Sequence, residues 1–141
     1  MKNWLCIPLS VFLAVSSVLI HEACHILTCL VFNISVHRIA SSQDGIGVYA
    51  AVSPYSQIIA CMGGLGSAIA LSVILIWSRL RNSPLRVGTE FIIYMQLGIG
   101  YCEGVLREEY MRGSFLFTIT LIAVMCTVLT EMVYQRNGDQ S

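Results

Sequence analysis

Four apolar runs of about 20 residues or more are the strongest constraint on how this chain can fold. They cover about residues 4–32, 57–77, 87–106 and 114–134. A helix needs about 20 apolar residues to cross a hydrocarbon core of about 30 Å, and backbone groups in lipid must be hydrogen-bonded within their own segment. We therefore predict an all-α polytopic membrane protein with about four transmembrane helices, forming a single domain over residues 1–141.

The first run also has a second interpretation. Lys2 before an apolar stretch, with small residues at 14–17, is compatible with a secretory signal. Because the run continues through Ile20 and resumes at 26–32, it extends far beyond a signal's apolar region of roughly 7–15 residues. We interpret it as a retained helix.

Composition excludes several classes of protein. The chain is 56% hydrophobic and only 11% charged, whereas a soluble domain has about a quarter charged residues. Eight basic residues balance eight acidic ones, so no basic surface is available for nucleic acid. The cysteines lie in apolar runs, where thiols pack as small hydrophobic groups. The expected surroundings are the lipid bilayer and other membrane proteins.

The polar insert between the first two runs has the pattern of a small β-hairpin. Alternating residues follow Ile34, strand-forming residues occupy 46–52, and Asp44-Gly45 between them is a turn signal. We predict a membrane-associated hairpin over about residues 34–52.

The chemically informative motif is His21-Glu22-Ala23-Cys24-His25, an HExxH sequence inside the first run. Imidazoles at i and i+4 lie on one helical face and can converge on a tetrahedral Zn²⁺. Glu22 then stands beside the metal, where it can accept a proton from a metal-held water. Three such groups within a membrane span are costly without a function, so we predict His21 and His25 as metal ligands and Glu22 as the catalytic base.

A catalytic zinc site needs a third protein ligand. His37 lies in the predicted hairpin, Glu90 and Glu131 lie near helix ends, and Glu108 and Glu109 lie in a loop with arginines. Glu103, late in the third run, remains. Because successive helices alternate in direction, Glu103 can reach the depth of His25, and we predict it as the third ligand.

These residues resemble the site-2 protease family of intramembrane zinc metalloproteases. The resemblance covers about residues 4–106 and implies a three-helix core, with HExxH on the first helix and Glu103-Gly104 on the third, where the family usually has Asp-Gly. The segment Cys61-Met62-Gly63-Gly64-Leu65-Gly66-Ser67 is similar to the family's second-helix motif, with Ser67 at an Asn position. Residues 114–134 form an extra C-terminal helix.

The resemblance implies an intramembrane zinc metalloendopeptidase that hydrolyses peptide bonds of transmembrane protein substrates. Ser67, Gln96 and Tyr101 are candidate substrate-binding residues along a polar gap, and the hairpin is expected to hold substrate as an added strand. The expected location is the plasma membrane of a prokaryote, as a multi-pass protein.

Two other functions stay open. The chain's small size also fits a non-proteolytic membrane subunit or scaffold that keeps the fold and the metal while binding partner subunits. A metal transporter is less favoured, because one HExxH with a single partner carboxylate makes a fixed site rather than a path of sites.

Overall fold

The computed structural model describes residues 6–42, 45–77, 85–106 and 113–138. Its elements are α1 (Cys6–Val31), β1 (Val36–Ser42), β2 (Gly45–Ala50), α2 (Ser56–Trp77), α3 (Leu85–Tyr101) with a π-helical turn (Cys102–Leu106), and α4 (Gly113–Gly138). The start of the first apolar run, Asp44 of the predicted turn, the loop glutamates Glu108 and Glu109 and most of both helix-connecting loops lie outside the described residues.

Three of the described helices are long and apolar enough to cross a membrane: Val11–Val31, Ser56–Trp77 and Leu116–Gln135. The third predicted span is the exception. At 17 residues, α3 is about 25 Å long, and Arg86, Glu90 and Gln96 interrupt its apolar sequence. Of the four predicted crossings, three are therefore supported by helix length and composition.

The distribution of polar side chains is inverted relative to a soluble protein. Large apolar side chains such as Phe12, Leu27 and Phe117 are exposed, whereas the buried side chains include many polar ones: Ser17, His21, Thr28, Ser67, Arg86, Thr89, Gln96 and Thr127. Apolar groups that face lipid lose nothing, and polar groups inside can hydrogen-bond to one another. This arrangement is the one expected of a helical membrane protein.

A left-handed residue ends α1 and directs the chain into the hairpin. Asn33 has a φ of 55°, and the amides of Asn33 and Ile34 donate to the carbonyls of Leu30 and Cys29. This is a Schellman ending, which satisfies the last helical carbonyls. The stacked rings of Phe32 and Tyr55, with centroids 4.5 Å apart, then join the end of α1 to the start of α2.

Strands β1 and β2 pair antiparallel within the region where the sequence predicts a hairpin. The register shifts between Val36 and Arg38, which leaves His37 at a bulge and exposed. The amide of Ala51, just after β2, donates to the carbonyl of Ser35. The hairpin therefore lies between the C-terminal end of α1 and the N-terminal end of α2.

Glycines allow α2 and α3 to approach each other closely. A Cβ added to Gly64 would overlap the backbone of Gln96 and Gly100, and one added to Gly104 would overlap the thiol of Cys61. Small residues at these positions permit a backbone contact of the kind seen between membrane helices. The same pair of helices supplies the buried apolar core of Ala68, Leu71 and Ile93.

A buried ion-pair network joins the start of α3 to the end of α4. The Arg86 guanidinium contacts Glu90 at 3.0 Å and Glu131 at 2.5 Å and lies 4.0 Å from the ring centroid of Tyr134. From the positions of the apolar runs, Arg86 is expected in the short surface connection before the third run, and Glu90 and Glu131 are expected near helix ends, where carboxylates can reach water. The structure corrects this, because Arg86 is in the first turn of α3 with only 8% of its surface exposed.

We expect Arg86→Met to destabilise the protein by about 3–5 kcal/mol, because it leaves two partly buried carboxylates without their cation. Gln135→Met, at an exposed position of α4, is the control and should change stability little. The measurement is reversible unfolding in detergent micelles. An Arg86→Met protein as stable as the wild type would contradict the structural role of this network.

Candidate metal centre

Three side-chain atoms from two helices converge at the HExxH motif. Nε2 of His21 lies 3.0 Å from Oε2 of Glu103, and Nε2 of His25 lies 3.6 Å from the same oxygen. The two imidazole nitrogens are 3.1 Å apart. The i, i+4 spacing on α1 brings the imidazoles together, and α3 ends in the π-helical turn that contains Glu103. Such turns are frequent at functional sites.

The other nitrogen of each imidazole is held by an acceptor. Nδ1 of His25 is 2.7 Å from the carbonyl oxygen of Ile59, and Nδ1 of His21 is 2.8 Å from Oε1 of Gln96. A carbonyl oxygen only accepts, so each Nδ1 carries a proton and donates it. In the neutral imidazoles, both Nε2 atoms are then unprotonated and present lone pairs to each other and to the carboxylate.

Three acceptor atoms so close together repel one another unless a cation or a shared proton lies between them. Tetrahedral zinc holds nitrogen and oxygen ligands at about 2.0–2.2 Å, which places neighbouring ligand atoms roughly 3.3 Å apart. The separations of 3.0, 3.1 and 3.6 Å are close to that value. His21, His25 and Glu103 could therefore hold a tetrahedral divalent ion and leave one coordination position open.

Glu22 lies beside this group. It offers a carboxylate oxygen that falls, with one nitrogen from each imidazole, in a set within 4.8 Å of one another. Its Oε2 atom is buried and has no hydrogen-bond partner, while the backbone amide of Val48 in β2 donates to the carboxylate. An unpartnered buried carboxylate oxygen next to a candidate ligand set is placed to accept a proton from water.

A cavity of about 400 Å³ adjoins the centre. Its lining includes Glu22, His25 and Glu103 on one side and residues 48 and 50–52, at the end of β2 and just beyond it, on the other. The strand contacts no second strand other than β1 among the described residues. The arrangement leaves space for an extended chain next to the carboxylates and the imidazole.

Gly63 of α2 provides the room for the two imidazoles. A Cβ added there would overlap the ring of His25 and lie 2.6 Å from Nε2 of His21. The glycine-rich segment 61–67 therefore packs against both neighbours, with Gly63 facing α1 and Gly64 facing α3. Small residues spaced four apart, at 60 and 64 and at 63 and 67, favour close approach of membrane helices, but this spacing does not predict which glycine faces the histidines.

The structure brings together most of the sequence-predicted site residues. His21, Glu22, His25 and Glu103 meet as described above, and Gln96 and Ser67 lie behind His21, buried to 4% and 0% exposure. Tyr101 is elsewhere: it is 59% exposed and lines an apolar cavity between α3 and α4. Contact of Ser67, Gln96 and Tyr101 with substrate stays a prediction, and none of them lines the cavity beside Glu22.

Sequence reasoning missed three contributors to the centre. The carbonyl of Ile59 carries no sequence signal, because any residue has one. Val48 contributes through its backbone amide in the same way. Ser17 has a signal in the sequence, because it lies four residues before His21 and so shares its face of α1. In the structure it is buried, with 4% exposure.

Comparisons with protein-family models, curated proteins and solved structures find no match to this chain.

We expect the detergent-purified chain to hold one zinc ion, and His21→Ala and Glu103→Ala each to lower zinc affinity by at least tenfold, because each removes one of three ligands. His37→Ala is the matched control, since this exposed histidine is outside the centre. Zinc per chain is measured by elemental analysis after dialysis against a weak chelator. Full zinc content in Glu103→Ala would remove Glu103 from the ligand set.

Gly63→Ala should also lower zinc affinity, although it changes no ligand. The added Cβ overlaps the His25 ring, so the imidazoles must move apart from Glu103. We expect at least a tenfold loss, measured by competition with a fluorescent chelator. Ile69→Ala, at an exposed position of the same helix, should bind zinc as the wild type does. Unchanged affinity in Gly63→Ala would contradict the close packing of α2 against the imidazoles.

Proposed function

We propose that this chain is an intramembrane zinc metalloendopeptidase that hydrolyses peptide bonds of transmembrane protein substrates. The observation that carries the proposal is the convergence of His21, His25 and Glu103 on one point, next to Glu22 and an adjoining cavity. The resemblance of the HExxH and Glu103-Gly104 sequences to site-2 proteases agrees with this chemistry. Zinc in such a site lowers the pKa of a water molecule and polarises a carbonyl group.

The residues of the chain have separate roles in this proposal. Glu22 accepts a proton from the attacking water through its unpartnered Oε2 atom and delivers it to the amine that leaves. His21, His25 and Glu103 hold the ion, and the acceptors at the far nitrogens of the two imidazoles, Gln96 Oε1 and the Ile59 carbonyl, fix the direction of the imidazole lone pairs. Substrate enters the cavity beside Glu22, where residues 48–52 run along one wall.

An extended substrate suits this cavity better than a helical one. The backbone carbonyls of a helix are hydrogen-bonded within the helix, so a membrane-embedded substrate must unwind before its carbonyl can be attacked. The segment at and after β2 can bind an unwound chain by strand addition. We therefore expect substrate helices that contain glycine or proline near the cleavage point.

The proposal includes four crossings, with α3 as a fourth span packed against α1, α2 and α4. A helix packed in this way tolerates Arg86, Glu90 and Glu103 because these side chains face protein rather than lipid, and its contacts with α2 and α4 support this position. We propose a multi-pass protein of a prokaryotic plasma membrane.

Glu22→Gln should retain zinc and lose cleavage by at least about 10²-fold, because the amide cannot accept the proton. The assay is cleavage of a tagged single-span peptide, with a glycine-proline pair in its apolar segment, in liposomes. The matched control is Glu109→Gln, which the sequence assigns to a loop. Undiminished cleavage by Glu22→Gln would contradict the proposed function.

The same assay separates the enzyme from the alternative, a non-proteolytic membrane subunit or scaffold. A wild-type chain that binds zinc through His21, His25 and Glu103 but cleaves no reconstituted span, even with glycine and proline placed along it, would favour the subunit. Zinc content and cleavage must therefore be measured on the same preparation.

A further inference from the structure

A chain of buried hydrogen bonds runs from the backbone of α1 through α3 and back to His21. The Ser17 hydroxyl donates to the carbonyl of Ala14 at 2.7 Å. Nε2 of Gln96 donates to Oγ of Ser17 at 3.1 Å, and Oε1 of Gln96 lies 2.8 Å from Nδ1 of His21. Ser17, Gln96 and His21 are each no more than 5% exposed.

The direction of this chain follows from its first bond. A serine hydroxyl has one proton, and the proton of Ser17 is used on the Ala14 carbonyl. Ser17 can therefore only accept from Gln96, so the NH₂ group of the amide must face Ser17. The amide oxygen must then face His21, where it accepts the Nδ1 proton and leaves Nε2 free to bind a cation.

The opposite orientation of the Gln96 amide would place the His21 proton on the other ring nitrogen. A flipped Gln96 would present its NH₂ group to Nδ1, which would then act as the acceptor, and the imidazole proton would move to Nε2. Ser67 selects less strongly, because its single proton can go either to Oε1, 3.1 Å away, or to the Gly64 carbonyl at 2.9 Å, a longer bond than the 2.7 Å bond of Ser17. The selection depends mainly on Ser17.

We propose that Ser17 and Gln96 are positioning residues that fix the tautomer of His21 and so present Nε2 to the metal. Neither residue is among the proposed ligands, and neither lines the cavity beside Glu22. The inference rests on the metal centre of the proposed function, but it concerns a hydrogen-bonding state that can also be measured without metal. Partners of this kind, which hold the far nitrogen of a liganding histidine, typically contribute 10–100-fold to metal affinity.

The first test is zinc affinity. Gln96→Leu should lower it by about 10–100-fold, and Ser17→Ala by a smaller factor of about tenfold. Gln96→Glu provides the rescue: a carboxylate accepts through either oxygen and needs no orientation by Ser17. Adding Ser17→Ala to the Gln96→Glu variant should therefore lower its zinc affinity by less than about twofold. Ser72→Ala, which removes another hydroxyl bonded to a helix carbonyl, is the matched control and should have no effect.

The second test reads the tautomer directly. ¹⁵N NMR of the histidine side chains in the zinc-free protein, held at a pH where the imidazoles are neutral, should detect a larger fraction of Nδ1–H at His21 in the wild type than in Ser17→Ala. It should detect Nε2–H in Ser17→Ala and again mainly Nδ1–H in Gln96→Glu with Ser17→Ala. A loss of packing alone would lower stability without this change of tautomer and without the rescue.

The outcomes separate the two proposals. A wild-type chain that binds no zinc would overturn the metal centre, and the NMR result would still decide the role of Ser17. Two results would overturn the inference while leaving the metal centre intact. One is that Ser17→Ala lowers zinc affinity by the same factor whether residue 96 is Gln or Glu, and the other is an unchanged His21 tautomer in Ser17→Ala.

Discussion

The structure depends on the burial of three hydrogen-bond acceptors that face one another inside an apolar helical bundle. Nε2 of His21, Nε2 of His25 and Oε2 of Glu103 lie within 3.6 Å of one another. Such a group is unfavourable in a medium of low dielectric constant unless a positive charge lies among its members. The surrounding protein brings these atoms close and places an acceptor at the far nitrogen of each imidazole.

The small residues of α2 make that proximity possible. Gly63 leaves room for the imidazoles of α1, and Gly64 allows contact with the α3 backbone at Gly100. Because neighbouring positions on a helix differ by about 100°, consecutive glycines open two different faces of α2. Helix α2 thus packs closely against the histidines on one face and against the helix that precedes Glu103 on another.

The ends of α3 contain two separate polar centres. Arg86 in its first turn is paired with Glu90 and Glu131, and Glu103 follows its last turn beside the histidines. In the first centre a buried cation lies between carboxylates, whereas in the second the described side chains supply acceptors without a fixed cation. The Arg86 centre accordingly attaches α4 to the bundle, and the centre at Glu103 has the properties of a binding site.

Sequence alone determined the features that depend on local geometry. HExxH spacing placed both imidazoles on one face because i and i+4 always share a face of a helix, and apolar runs of about 20 residues located three helices of spanning length. Elimination among the acidic residues selected Glu103, the carboxylate that the structure brings to His21. The glycine-rich segment indicated close packing.

Only the tertiary structure decided which polar groups meet across helices. It paired Arg86 with Glu131, placed Gln96 behind His21 and turned Tyr101 toward α4. Periodicity states which residues share a face, but not how each helix is rotated about its axis or how deep it lies against its neighbours. Those two quantities are set by the packing of all the helices together, because a small rotation of one helix exchanges the partners of every buried polar side chain.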